Sequence, residues 1–280
     1  MITQATITLP RRLNAGWLGV AAIALIYAAL YASNLILPLG NTNHMTRIWD
    51  WSQMALAATA GIVLILKRRN LTLAAALTGL ALAAVSGLSH AQHDPSPLWS
   101  GLEGAAVWLC FTGGTALFRD LAAGAVPAFR PPLAAIGRSL AFGALVALPL
   151  AALNNLYFYL NAGAVRFQNV FASAFEALSP ATHEEIIFRF FVLALCLYLL
   201  RASPSRRWVT AAAVALAVVP HSLNHLPDLF LQNPPMGLAM LAATSLLFGL
   251  PMALLQLRRN LETAIAFHWL IDFVRFLFGF

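Results

Sequence analysis

The stretch Thr182-His183-Glu184-Glu185-Ile186-Ile187-Phe188-Arg189 runs without a break into Phe190-Phe191-Val192-Leu193-Ala194-Leu195-Cys196-Leu197-Tyr198-Leu199-Leu200. Two adjacent carboxylates thus stand at the head of an apolar helix of membrane-spanning character. An ionised side chain at membrane depth costs several kcal/mol, on the order of 3 in insertion scales, unless it is paired or lines a wet cavity. Such a group is by default functional, and the polar residues that could converge on it are worth finding. Downstream lie His221, His225 and the pair His268 and Asp272.

The rest of the chain agrees with a bilayer as solvent. Of 280 residues 60% are hydrophobic and 10% charged, with a mean hydropathy of +0.77, whereas a soluble domain carries about 25% charged residues. Apolar runs near the length that crosses a bilayer occur at about nine places: 16–37, 51–66, 71–89, 98–118, 137–160, 183–200, 208–223, 237–257 and 262–279. The fold class expected is all-α, a polytopic transmembrane helical bundle of about 8–9 spans. The first run is too long for the apolar core of a signal peptide and lacks a small-residue cleavage site, so it reads as a span.

Lysine and arginine set the orientation. With nine spans, Arg11, Arg12, Lys67, Arg68, Arg69, Arg119, Arg130, Arg138, Arg201, Arg206, Arg207, Arg258 and Arg259 all fall on one side, thirteen of the seventeen Lys and Arg residues. The opposite loops hold Arg47 and Arg166. The expectation is an integral multi-pass protein of a cell membrane, the inner membrane in a bacterium, with the N-terminus cytoplasmic and the C-terminus outside. The net charge of +7 then reflects topology. No nucleic-acid partner is expected, because basic residues do not cluster with aromatics in a soluble segment.

Polar chemistry is unevenly distributed. Spans one to five are mostly Ala, Leu, Val and Gly, with Glu103 the only carboxylate well inside one. The Pro-rich connector 122–132 is the best boundary, dividing an N-terminal transmembrane scaffold, 1–132, from a functional half, 133–280. Residues 166–181 read as a short interfacial helix with Phe171, Phe175 and Leu178 at helical spacing, broken by Ser179-Pro180. Cys110 and Cys196 lie inside spans and are expected to pack as small apolar side chains.

Residues four apart share a helix face. Arg189 can therefore hold Glu185, while Glu184 points about 100° away and is free for chemistry; neutralisation of Arg189 by both acids is the plain alternative, at the cost of a second buried charge. His221 and His225 are likewise four apart at the outer end of span seven, bracketed by Pro220 and Pro227, and either could be a hydrated interfacial histidine. His268 and Asp272 are four apart within the last span, where packing alone explains them poorly. In the nine-span topology three separate spans bring acids and imidazoles to the middle and outer part of the membrane.

Glu184-Glu185-x-x-x-Arg189, a histidine after an apolar helix, Leu247-Phe248-Gly249-Leu250, Arg258-Arg259-Asn260-Leu261 and His268-x-x-x-Asp272 resemble the CAAX prenyl endopeptidase and bacteriocin-processing (CPBP, or Abi) family of glutamic intramembrane proteases. The resemblance covers about 139–280 and marks 133–280 as a CPBP-like intramembrane protease domain. The family's phenylalanine four residues before the middle histidine is missing: His221 follows Ala217, and His225 follows His221. Distance from Glu184 favours His221, the trailing Leu226 favours His225, and both stand. Asp272 occupies a position where asparagine is common in the family.

The resemblance implies that Glu184, with His221 or His225, activates water, that His268 oriented by Asp272 stabilises an oxyanion, and that Glu185–Arg189 is an orienting ion pair. It implies no cofactor and no metal, and as partners the lipid bilayer and a membrane-embedded or membrane-anchored protein or peptide substrate. A zinc protease is the second enzyme reading; His183-Glu184-Glu185-Ile186-Ile187 fails the HExxH spacing. A proton-coupled membrane transporter would also use intramembrane acids and histidines, although the chain lacks a two-fold repeat of spans. A non-catalytic membrane immunity or chaperone protein of the same fold is the third class.

Overall fold

The computed structural model describes residues 15–37, 43–92, 96–121, 127–129 and 132–280. Ala-, Leu- and Val-rich segments form helices α1 (Ala15–Ile36), α2 (His44–Leu66), α3 (Leu73–His90), α4 (Pro97–Leu121) and α5 (Leu133–Ala162). Side-chain caps mark the starts of two of them: Asn43 accepts from the Thr46 N–H and Thr72 from the Ala75 N–H, each satisfying a donor that the first turn leaves without an intrahelical partner. After these come α6 (Val170–Glu176), α7 (Leu178–Glu184) and a π-helical stretch (Glu185–Phe191) leading into α8 (Val192–Leu199). The chain continues through α9 (Arg206–Asn224), α10 (Pro227–Gln232) and α11 (Pro234–Thr244). A second π-helical stretch (Ser245–Gly249) joins α11 to α12 (Leu250–Arg258), and α13 (Leu261–Leu277) follows.

The fold is all-α. Among the described residues six helices are long and apolar enough to cross a membrane: α1, α2, α3, α4, most of α5 and the run Pro234–Arg258. They coincide with six of the nine expected spans. The other three expected spans, 183–200, 208–223 and 262–279, correspond to α7–α8, α9 and α13. Those helices are interrupted by a π stretch, headed by Arg206 and Arg207, or 17 residues long.

The Ser179-Pro180 pair does not break the chain as expected. The break falls at Ala177, and Pro180 sits in the first turn of α7, where a missing N–H costs nothing because that turn's donors lack intrahelical partners. Most of the 122–132 connector, together with Arg11, Arg12 and Arg130, lies outside the described residues. Its described end is tied down: the Phe129 N–H donates to Glu262 Oε2 at 2.9 Å and the Leu261 N–H to the Pro127 carbonyl at 2.9 Å.

Helix α4 is the most enclosed of the six, with 72% of its apolar window buried. It packs against α2, α3 and the π-helical stretch, and Gly114 makes the last contact possible: a Cβ there would lie 2.8 Å from the Phe190 ring. One core joins Ala60, Val107, Cys110 and Phe111 of the first half to Ile186, Phe190 and Ile265 of the second. Cys110 and Cys196 are buried free thiols within apolar clusters, as expected. Helices α5 and α13 run together closely, a Cβ on Gly143 meeting the Thr263 carbonyl at 2.2 Å.

Candidate active site

Glu184 is the last residue of α7, and Glu185 opens the π-helical stretch that ends at Phe191. A π turn is rare and is frequent at functional sites. Here it holds Glu185 and Arg189 together, with Arg189 Nη1 donating to Glu185 Oε1 at 2.8 Å and both side chains wholly buried. Glu185 Oε1 also receives His268 Nδ1 at 2.8 Å. Its second oxygen, and Arg189 Nε, have no hydrogen-bond partner among the described residues.

The protonation pattern of His221 follows from its neighbours. A guanidinium has donors and no acceptor, so Arg189 Nη2, 3.0 Å from His221 Nδ1, donates to it. The ring proton therefore sits on Nε2, which donates to Glu184 Oε2 at 2.5 Å. Arg189 thus serves Glu185 with one nitrogen and selects the His221 tautomer with the other, which the forked geometry of arginine permits and a lysine ammonium does not. Glu184 Oε1 has no hydrogen-bond partner among the described residues and remains open to a ligand.

His268 Nε2 lies 3.7 Å from Glu184 Oε2 and 3.2 Å from Asp272 Oδ2. With a carboxylate at each nitrogen, this imidazole is placed to donate from both. Asp272 in turn lies 3.2 Å from Arg275 Nη2.

All seven residues singled out in the sequence are brought together: Glu184, Glu185, Arg189, His221, His225, His268 and Asp272. They are not equivalent. His221 is buried and in direct contact with Glu184, whereas His225 caps α9, has a side chain 43% exposed and lies 4.0 Å from the same oxygen. Glu184, His221 and His225 each offer one ligand atom, and these atoms all lie within 4.8 Å of one another. That is a donor set borderline metals accept, and it does not depend on HExxH spacing.

Two site neighbours were not picked out from the sequence. Trp49 of α2 sets its ring against His221 and His225, with centroids 5.4 and 5.0 Å apart, and against Phe188 at 5.3 Å. Its signal is an aromatic-acid cluster, Trp49-Asp50-Trp51, in an otherwise plain apolar segment. Arg275, three residues after Asp272, was legible from helical spacing alone.

Close packing holds the histidine helix in place. A Cβ on Gly249, at the end of the second π stretch, would sit 2.6 Å from Val218 Cγ1, so the absence of a side chain lets α9 approach one turn before His221.

Residues 166–274 match the family model for type II CAAX prenyl endopeptidase, Rce1-like. No curated protein and no solved structure matches the chain. The matched stretch contains all seven site residues and excludes Trp49, Glu103 and Arg275. The result is thus a similarity, confined to residues 166–274, to the Rce1-like type II CAAX prenyl endopeptidase family.

Proposed function

We propose that the protein is an intramembrane endopeptidase that cleaves a membrane-embedded or membrane-anchored protein or peptide with water activated by Glu184. The observation that carries this reading is the Glu184–His221 pair, 2.5 Å apart, with the other glutamate oxygen open. Glu184 Oε1 takes a proton from water as the water oxygen bonds to the peptide carbonyl carbon. The proton then passes from Glu184 to the leaving nitrogen as the carbon–nitrogen bond breaks. A positioned carboxylate in this role supplies about 10²–10⁴-fold. The single N–H of His268 Nε2, directed at Asp272 in the resting site, turns to the developing oxyanion, whose stabilisation by a positioned donor in a low-dielectric site is a large contribution. Glu185, held by Arg189, fixes the other side of the His268 ring.

Residues 133–280 carry this chemistry and 1–132 support it. The direct test is Glu184→Gln. Comparison of the membrane and secreted proteomes of a deletion strain and its parent identifies segments left uncleaved, and the Gln variant should fail to restore their processing while remaining folded and inserted. Full restoration by the variant overturns the reading.

A metal-dependent hydrolase is the second reading, favoured by the convergence of Glu184, His221 and His225. Strong chelation of purified protein in detergent discriminates. The metal-free mechanism keeps its activity, and a loss that zinc restores assigns those three side chains as ligands.

The site opens toward the outside if α7–α8, α9 and α13 complete a nine-span topology. The lysine and arginine distribution supports this, and it favours exported or membrane proteins cleaved near an outward-facing segment over cytosolic tails. Cysteine at Ser96 or Asp228 should react with an impermeant thiol reagent on intact cells. Labelling only after lysis reverses the orientation.

A further inference from the structure

Glu103 is buried in α4 and plays no part in the proposed chemistry. Its Oε1 accepts from the Ser86 hydroxyl of α3 and, at 2.8 Å, from the Ser179 hydroxyl; its Oε2 lies 2.7 Å from His90 Nδ1. Ser179 is the second residue of α7, the helix that ends at Glu184. The N-cap of α7 is Ala177, which makes no side-chain cap bond. The first-turn donor of Ser179 is met instead by Ser89 Oγ of α3, which accepts the Ser179 N–H at 2.9 Å and reaches the Phe175 carbonyl at 2.6 Å. The helix that presents Glu184 is therefore capped in trans by α3, through Ser89, and clasped by α4, through the bond from the Ser179 hydroxyl to Glu103. A carboxylate at this end also complements the partial positive charge of a helix N-terminus.

We infer that Glu103 is a positioning residue: through Ser179 it fixes the start of α7 and thereby holds Glu184 against His221. Glu184 lies five positions after Ser179, about 7.5 Å along a helix, so a loosened first turn moves the carboxylate directly. The first 132 residues then take part in the reaction through a specific clasp as well as by packing. The catalytic consequence rests on the protease reading above; the clasp itself does not.

The test uses full-length variants in detergent, followed by amide hydrogen exchange and by cleavage of an internally quenched peptide library. Ser179→Ala should raise exchange across residues 181–185 by roughly tenfold, the effect of one lost charge-assisted hydrogen bond, and lower kcat at unchanged KM. Ser86→Ala removes a bond to the same carboxylate oxygen from α3 and should do neither. Glu103→Gln, whose carbonyl can still accept from Ser179, should retain turnover that Glu103→Leu loses. Equal exchange in the two serine variants, both raised or both unchanged, overturns the inference, as does a rise in KM at constant kcat in Ser179→Ala. If the wild-type chain cleaves no peptide in the library, the protease reading fails on that probe while exchange still decides the clasp.

Discussion

Two buried carboxylates, Glu103 and Glu184, each sit within hydrogen-bonding reach of a histidine, yet their surroundings differ in one decisive way. Both Glu103 oxygens are occupied, by Ser86, Ser179 and His90. Glu184 gives one oxygen to His221 and keeps the other without a partner among the described residues. A carboxylate with three of its roughly four acceptor sites filled has little left to offer a ligand, so its interactions go into holding helices together. One with a spare oxygen beside a second imidazole, His268 at 3.7 Å, can exchange protons with what enters. Burial and a nearby histidine do not distinguish the two; the number of filled acceptor sites does.

The sharpest way to break this comparison is to neutralise each acid with its amide. Glu184→Gln should lower turnover by about 10³-fold with an unchanged melting transition in detergent, whereas Glu103→Gln should keep most of its activity. Equal inactivation of the two variants would abolish the distinction.

Next in size is Arg189→Lys. The substitution keeps a charge and cannot donate to both Glu185 and His221 in the present geometry, so at least one bond to a buried partner is lost. The cost is about 1.5–3 kcal/mol, read as a lower melting temperature together with reduced turnover. A lysine variant as stable and active as the parent shows that the fork is unimportant.

A smaller contrast separates the two histidines of α9. His221→Asn leaves Glu184 and Arg189 each short of a buried partner, while His225 is 43% exposed and 4.0 Å from the carboxylate, so His225→Asn should cost several-fold less in kcat. The reverse order would move the water-activating role to His225 and sharpen the metal reading.

The smallest effect is expected at the rim of the first half. Lys67 Nζ lies 2.6 Å from Asp120 Oδ2 with both side chains partly exposed. Lys67→Ala should cost about 1 kcal/mol or less, measured as a small shift of the melting transition. A large loss of stability there would show that a partly exposed ion pair holds the first half as firmly as its buried contacts do.

Much of the architecture was legible because it follows from local rules. Apolar runs of sufficient length have to be helices in a solvent that satisfies no backbone hydrogen bonds, and six of them are the long helices of the structure. The pairs Glu185–Arg189 and His268–Asp272 were legible because four-residue spacing puts side chains on one helix face. The π turn over Glu185–Phe191 was not, since an i→i+5 register leaves no mark in an apolar string. The start of α7 was misplaced for a related reason: Ser179-Pro180 has the composition of a break, and only the contacts to the neighbouring α3, which caps it, and α4, which binds the Ser179 hydroxyl, show that it is a first turn.

By itself the sequence determined that this chain has the helices of a multi-pass membrane protein, and it singled out polar side chains after residue 133, such as Glu185, Arg189 and His268, that are too costly in hydrocarbon to be there without partners. Tertiary structure decided how those partners are shared. It set His221 rather than His225 on Glu184, gave Glu185 to both Arg189 and His268, and brought Trp49 and the Glu103 clasp from the first half to the second. The reason is physical: desolvation acts on each residue alone and can be read along the chain, whereas hydrogen-bond partnership depends on which helices meet, and that is settled by close approaches such as those at Gly114, Gly143 and Gly249.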